Sequence, residues 1–201
     1  KGVYHPLIWQ NYDYSAALPQ VPPDFLVIPV YYEHRLTTTH RVSSVFETFG
    51  LPCPSPLPTP RMYFPQQLPE PVLDYVRQVR SKAKDKKGIV FLQLDSRSSN
   101  YVYPYLSQLA QGLIKQGYLV LSVTPGGPLD EPNFLELDIK RLSINQTWQL
   151  LAALKAEFAV YVITLNSVFL AASAGLKLPS LGLIHWQDKK VHNVWYPNIE
   201  M

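Results

Sequence analysis

The sequence predicts an α/β chain built on a parallel, doubly wound sheet, and three observations lead there. Apolar segments of strand length alternate with amphipathic segments of helix length throughout the last two thirds of the chain. The links between them are short, so each strand runs into a helix that crosses back and starts the next strand in the same direction. Apolar residues make up 47% of the 201 residues and charged residues 16%, which is enough apolar side chain for a sizeable core.

Residues 1–51 read as a partial or reduced N-terminal region. Its first 24 residues are rich in tyrosine and proline and give no regular element. A short strand is expected at 25–31 and a helix at about 38–48, with Thr39, Val42, Val45, Phe46 and Phe49 forming an apolar stripe and Gly50 ending it. Residues 52–71 form a connector. Thirteen of the 19 prolines lie in residues 1–71, and one falls at every second position from 52 to 60, which neither a helix nor a central strand tolerates. Such a stretch is extended and fairly stiff.

Residues 72–201 read as a Rossmann-like domain, its first helix starting just inside the connector at 70–83. Val72, Leu73, Val76 and Val79 give that helix one apolar side. A buried strand follows at 88–94, then a helix at 104–117 with Pro104 at its start, Leu106, Leu109, Leu113 and Ile114 inward and Gly117 as the stop. Strands at 118–124 and 133–139 flank the turn "PGGPLDEP". A helix at 147–157, a strand at 158–164, a helix at 167–176 and a strand at 180–184 complete the pattern.

The formal net charge is +3, and the basic run "RQVRSKAKDKKG" at 77–88 reads as a solvated helix end. No aromatic-flanked basic stripe accompanies it, which argues against nucleic acid or a membrane surface as its partner. The single cysteine, Cys53, rules out an intrachain disulfide and a cysteine metal cluster, and a reducing compartment is the simplest reading. No apolar run reaches the length of a transmembrane helix, roughly 18 residues. The opening residues lack a signal-peptide pattern and a methionine, as a fragment or processed product would. His185, Asp188 and His192 have a spacing that fits no usual zinc site, so no metal is expected. The G-x-S-x-G, Walker, G-x-G-x-x-G and H-E-x-x-H patterns are all missing.

Open α/β sheets bind ligands beyond the carboxyl ends of their strands, and three corners qualify here. In "LDSRSSNYVYP" the hydroxyls of Ser96, Ser98 and Ser99, the Arg97 guanidinium and the helix N–H groups form a phosphate cradle, or else a polar loop that caps the helix. Tyr101, Tyr103 and Tyr105 either stack a base or pack the helix start on the sheet. In "TPGGPLDEPN", Gly126 and Gly127 allow close backbone approach while Asp130 and Glu131 could accept from a ribose; a plain tight turn with solvated acids is the alternative. In "TLNSVFLAAS", Asn166 or Ser167 caps a helix whose free N–H groups, from Val168 on, suit an anion.

The order and spacing of these corners resemble the C-terminal half of glycosyltransferase family 9, the ADP-heptose:lipopolysaccharide heptosyltransferases. The likeness rests on "HRVSSVFETFGLP", "DSRSSNYVYPYLSQLAQGLIKQGYLVLSVTPGGPLDE", "RLSINQTWQLLAALKAEFAVYVI" and "VWYPN". It implies the donor-binding half of a GT-B fold, a nucleotide diphosphate sugar as substrate with no cofactor, and cell-surface polysaccharide or lipopolysaccharide synthesis. It also implies a cytoplasmic location, with peripheral attachment at the inner membrane face. The family's last corner reads Asp-Ser-Gly-x-x-His, where this chain has Asn166, Ser167, Val168 and Ala171, and Tyr101 stands where the family has a lysine.

Two readings follow from that mixture. In one, Ser96, Arg97, Ser98, Ser99, Tyr101, Gly126, Gly127, Asp130, Glu131, Asn166, Ser167 and Val168 hold a nucleotide sugar, and Asp13, Asp24 and Glu33 are the candidates for a general base. In the other, the fold survives as a catalytically inactive interaction or assembly module, using Tyr12, Tyr14, Tyr31 and Tyr32 or a separate N-terminal domain as its contact. A different nucleotide-binding enzyme on the same fold is a third reading.

Overall fold

The computed structural model describes residues 50–55, 62–65, 67–95, 102–165, 167–183 and 199–200. The strand expected at 25–31, the helix expected at 38–48 and the tyrosines and acids of residues 1–33 lie outside them, as do His185, Asp188 and His192.

Regular structure among these residues begins with α1, Glu70–Ala83, where Pro71 occupies a first-turn position whose N–H would in any case lack a helical partner. There follow β1 (Ile89–Gln93), α2 (Leu106–Lys115), β2 (Leu119–Ser122), β3 (Phe134–Glu136), α3 (Ile144–Lys155), β4 (Val160–Leu165), α4 (Val168–Gly175), β5 (Ser180–Leu183) and β6 (Ile199–Glu200). The six strands form one sheet in the order β3-β2-β1-β4-β5-β6, and every neighbouring pair is parallel. The Rossmann-like, doubly wound expectation is therefore met, with β6 as an added edge strand that no apolar run announces.

Alternation along the strands divides the core into two layers. Ile89 and Phe91 of β1, Leu119 and Leu121 of β2, and Val160 and Val162 of β4 join α1, α3 and α4 on one face. Val90, Leu92 and Val120 join Leu106 and Ala110 of α2 on the other. Phe91, Leu150 and Leu154 have no exposed surface. Burying each such side chain contributes about 1.5–3 kcal/mol relative to exposure. Right-handed crossovers explain the division: links that step left along the sheet and links that step right must fall on opposite faces.

Several elements differ from the sequence expectation. The α1 stripe is Val72, Tyr75, Val76, Val79 and Ala83, with Leu73 only half-buried. Tyr75 is drawn in because its hydroxyl accepts the Asp138 N–H at 3.0 Å. Leu109, Leu113 and Ile114 of α2 are half-buried, while the small Ala110 lies fully against the sheet. α3 starts three residues earlier than expected because Ser143 and Gln146 form a capping box, each side chain meeting the other's backbone N–H. Gly117 does stop α2, at a φ of 94° that a residue with a Cβ resists.

Arg80 of α1 grips Glu157, just past α3, through two hydrogen bonds, Nε to Oε2 at 2.8 Å and a shorter one from Nη2 to Oε1. The Arg80 hydrogen bond, helped by the Arg80 charge, holds the Glu157 carboxyl below its ordinary value of 4.5 against the opposing effect of desolvation. A depressed carboxylate stabilises the fold above its unfolded pKa and loses that contribution as pH falls through the folded value. The melting-temperature gap between wild type and Glu157→Gln should thus be open at neutral pH and close below pH 4.5; a gap independent of pH would contradict the pair. On α3, Gln149 is 3% exposed and its carbonyl oxygen has no partner among the described residues. Replacing it by methionine, similar in volume, should raise stability by about 1 kcal/mol in denaturant unfolding.

Candidate functional site

Strand order fixes where the candidate site lies. The chain leaves β1 leftward through α2 to β2, and leaves β4 rightward through α4 to β5, so the connections part between β1 and β4. A crevice opens beyond carboxyl ends that diverge in this way, at the topological switch point. Here the described walls are Gln93, Leu94 and Asp95 at the end of β1, and Thr164, Leu165, Ser167 and Val168 between β4 and α4.

The floor of this corner is a buried polar cluster. Gln93 is the last residue of β1 and pairs in register with Thr164 of β4. Its carbonyl oxygen accepts from the Thr164 and Ser167 hydroxyls, both at 2.6 Å. Its amide donates to the Asp95 carbonyl. Thr164 and Ser167 lie 3.1 Å apart, oxygen to oxygen. Gln93 is 8% exposed and Thr164 fully buried. A polar cluster at that depth persists only when its members satisfy one another.

Ser167 also caps α4: its hydroxyl accepts the Phe169 N–H at 3.1 Å, and its carbonyl accepts the Leu170 N–H at 3.0 Å. The Val168 N–H meets no partner among the described residues. Two of the first-turn N–H groups are thus taken by Ser167, which leaves the positive end of the helix only partly available to an anion. The Val168 side chain is 48% exposed.

The neighbouring corners are tied to this one through backbone. The Leu94 N–H donates to the Thr124 hydroxyl at 2.7 Å, and the Leu94 carbonyl accepts the Tyr103 N–H at 3.0 Å. Leu94 is thereby tied both to the exit of β2 and to the approach to α2. Ser122 receives the Thr124 N–H on its hydroxyl at 3.0 Å, stiffening the exit of β2.

Not every residue singled out from sequence belongs to this corner. Ser96, Arg97, Ser98, Ser99, Tyr101 and Asn166 lie outside the described residues. Ser167 and Val168 are at the switch point. Gly126 does need its glycine, at a φ of 88°, and its carbonyl accepts from Ser107 at 3.3 Å. Gly127 has another reason: a Cβ there would lie 2.1 Å from the Phe134 ring, so the ring of β3 occupies its open side. Asp130 is exposed in the turn. Glu131 sits at the amino-terminal end of β3, its carbonyl accepting the Phe134 N–H. The parallel register puts that end beside the start of β2, opposite the end where the crevice opens. The reason is the shortness of the strands: ten residues after Thr124 bring the chain back along the sheet's height. Tyr103 and Tyr105 meet edge to face, ring centres 5.7 Å apart, at the entry of α2.

Gln93 and Thr164 were not singled out from sequence. Their signal was available: polar residues at the ends of two otherwise apolar strands, at the position where strands of this fold meet a ligand. Chemically the described corner offers hydroxyls, an amide and one helix N–H, with Asp95 exposed beside it.

No protein-family model matches the chain, and a search of curated proteins returns no match. Among solved structures the chain is similar to that of the E. coli ADP-heptose lps heptosyltransferase II, at 19% identity and a TM-score of 0.46, over 64% of this chain. It spans 40% of that protein's length. A likeness of this degree identifies neither a family nor an activity.

Removing the hub of the cluster should be costly. Gln93→Leu keeps the volume and removes the acceptor that the buried Thr164 hydroxyl and the half-buried Ser167 hydroxyl share, so it should cost about 2–3 kcal/mol in denaturant unfolding, more than Thr164→Val at about 1 kcal/mol. Equal, small losses would show that Gln93 does not join the two strands.

Proposed function

We propose that the described domain is the nucleotide-sugar-binding half of a glycosyltransferase-like protein, and that the β1/β4 switch point receives the diphosphate of the donor. The observation that carries this reading is the placement of the Gln93, Thr164 and Ser167 cluster, with the capped N-terminus of α4, where the connections part. Sequence resemblance to family 9 supplies the ligand class. In this reading the chain divides as a reduced N-terminal region (1–51), a connector (52–71) and the donor-type domain (72–201).

The roles follow from chemistry. The Val168 N–H and the end of the helix dipole attract a phosphate oxygen. Arg97 and the serines beside it close over the diphosphate and stabilise the charge that develops on it as the sugar leaves. Gln93 binds nothing itself; it holds Ser167 and the Asp95 backbone in place. Lipopolysaccharide or another surface polysaccharide is the product class that the resemblance suggests.

A second reading is favoured by one observation. Ser167 spends its hydroxyl on Gln93 and on its own helix, and no basic side chain stands in the first turn of α4. A corner satisfied from within is what a non-catalytic interaction module would keep.

Calorimetric titration with ADP, GDP, UDP and CMP, with and without a divalent ion, separates the two. The donor reading expects one diphosphate to bind at about 100 μM or tighter, roughly −5.5 kcal/mol, with Arg97→Ala weakening it about tenfold. Silence at millimolar nucleotide, or an unchanged affinity in the variant, would assign the fold to the second reading.

A further inference from the structure

We infer that residues 38–49 of this chain dock as a helix on the half of the sheet that no described helix covers. An all-parallel sheet is stable when both of its faces are covered. Here one face carries α1, α3 and α4, while the other carries α2 over β1 and β2. Links that step right along the sheet cross on the α1 side, so neither α3 nor α4 reaches β4 and β5 on the α2 side. The floor left open there is Tyr161, Ile163, Leu181 and Leu183, with Ile163 and Leu181 partners in register. Tyr161 and Leu181 are each 38% exposed. Ile163 and Leu183 are half-buried against the α2 layer.

The segment just before Gly50 has the matching form. Thr39, Val42, Val45, Phe46 and Phe49 fall on one side of the helix expected there. Gly50, its expected stop, stands at a φ of 64°, the left-handed conformation in which a helix-ending glycine is found. Eleven helical residues measure about 16 Å and the strand β4 about 20 Å, so one such helix spans the floor. A helix that short is marginal in water on its own and needs an apolar surface to fold against. The open floor is such a surface, and the stripe is what it lacks.

Tether and charge favour this occupant over a second copy of the chain. α1 packs on the opposite face. Residues 51–69, extended by their prolines at about 3.1 Å per residue, reach up to about 60 Å, enough to round the edge of the sheet. A segment tethered in this way acts at an effective concentration in the millimolar range, well above that of a second chain in solution. Lys87 borders the floor: it precedes Gly88, against which Tyr161 lies, and its side-chain carbons pass 3.6 Å from where a Cβ of Gly117 would stand. Lys84 is exposed in the same link. A docked helix that runs against the strands, as α2 does beside it, brings its negative end and Glu47 to these lysines. The β1/β4 crevice lies beyond the other end of the strands, so the inference holds whatever that crevice binds.

The test is maleimide labelling of the full chain in a Cys53→Ser background, with one reporter cysteine at a time. Leu181→Cys lies on the floor, and Leu129→Cys, at a side chain 73% exposed in the turn after β2, is the control. Val45→Asp/Phe46→Asp should release the segment and speed the labelling of Leu181→Cys at least about tenfold, with Leu129→Cys staying within about twofold of its own rate. Phe46→Ala/Phe49→Ala should act in the same direction by a smaller factor, and Tyr161→Cys should repeat the pattern of Leu181→Cys. Circular dichroism verifies that each variant is folded. Labelling of Leu181→Cys that neither segment variant speeds would overturn the inference, as would equal speeding of Leu129→Cys. Protection of Leu181→Cys that fades on dilution from about 50 to about 1 μM would do so too, and would give this face to a second copy.

Discussion

The parallel pairing of β1 with β4 is the constraint on which the rest of the molecule depends. It joins Ile89 to Val160 at one end and Gln93 to Thr164 at the other. The two strands are far apart in sequence, so their pairing closes a long loop and must be stabilised by what it buries. Phe91 and Val162 supply that on one face, where the Phe91 ring leans on Phe169 of α4 at 5.3 Å between centres. Once this pair exists, β2 and β3 can add only on one side and β5 and β6 on the other. The reversal between them, and the crevice it opens, is a consequence of that single adjacency.

The same pairing explains why polar side chains sit so deep. Gln93 closes β1 and Thr164 stands next to last in β4, both in otherwise apolar strands, and each would be costly alone. Paired across the register they satisfy one another and enlist Ser167, so the helix that follows β4 is fixed at its first residue. Local chemistry and global topology agree at this corner. A rigid, preformed cluster also lets a helix N-terminus hold a ligand without reordering on binding.

Much of the fold was legible because the helices announce themselves through apolar spacing and their stops through glycine, as Gly117 does. Three features were harder to read. Tyr75 is buried for its hydrogen bond to Asp138, a contact made across the fold rather than along α1. β6, two residues long, is a strand only because β5 offers it an edge. Gly127 reads as a place for close ligand approach, yet its space is taken by Phe134, seven residues on and in another element. At the site, capping chemistry at a strand-to-helix corner pointed to Ser167 and Val168 but nothing pointed to Gln93, since a single polar residue closing an apolar run acquires meaning only when its neighbour across the sheet is known.

The central claim is that the carboxyl-terminal end of β1 and β4 is the ligand-binding end of this molecule. Amide chemical shifts of the isotopically labelled full chain, followed while ADP is added, test it residue by residue. The account predicts saturable changes at Leu94, Asp95, Val168 and Phe169, with Lys87 and Tyr118 at the opposite end unmoved. Saturable changes confined to the amino-terminal end, or none anywhere at millimolar nucleotide, would contradict it.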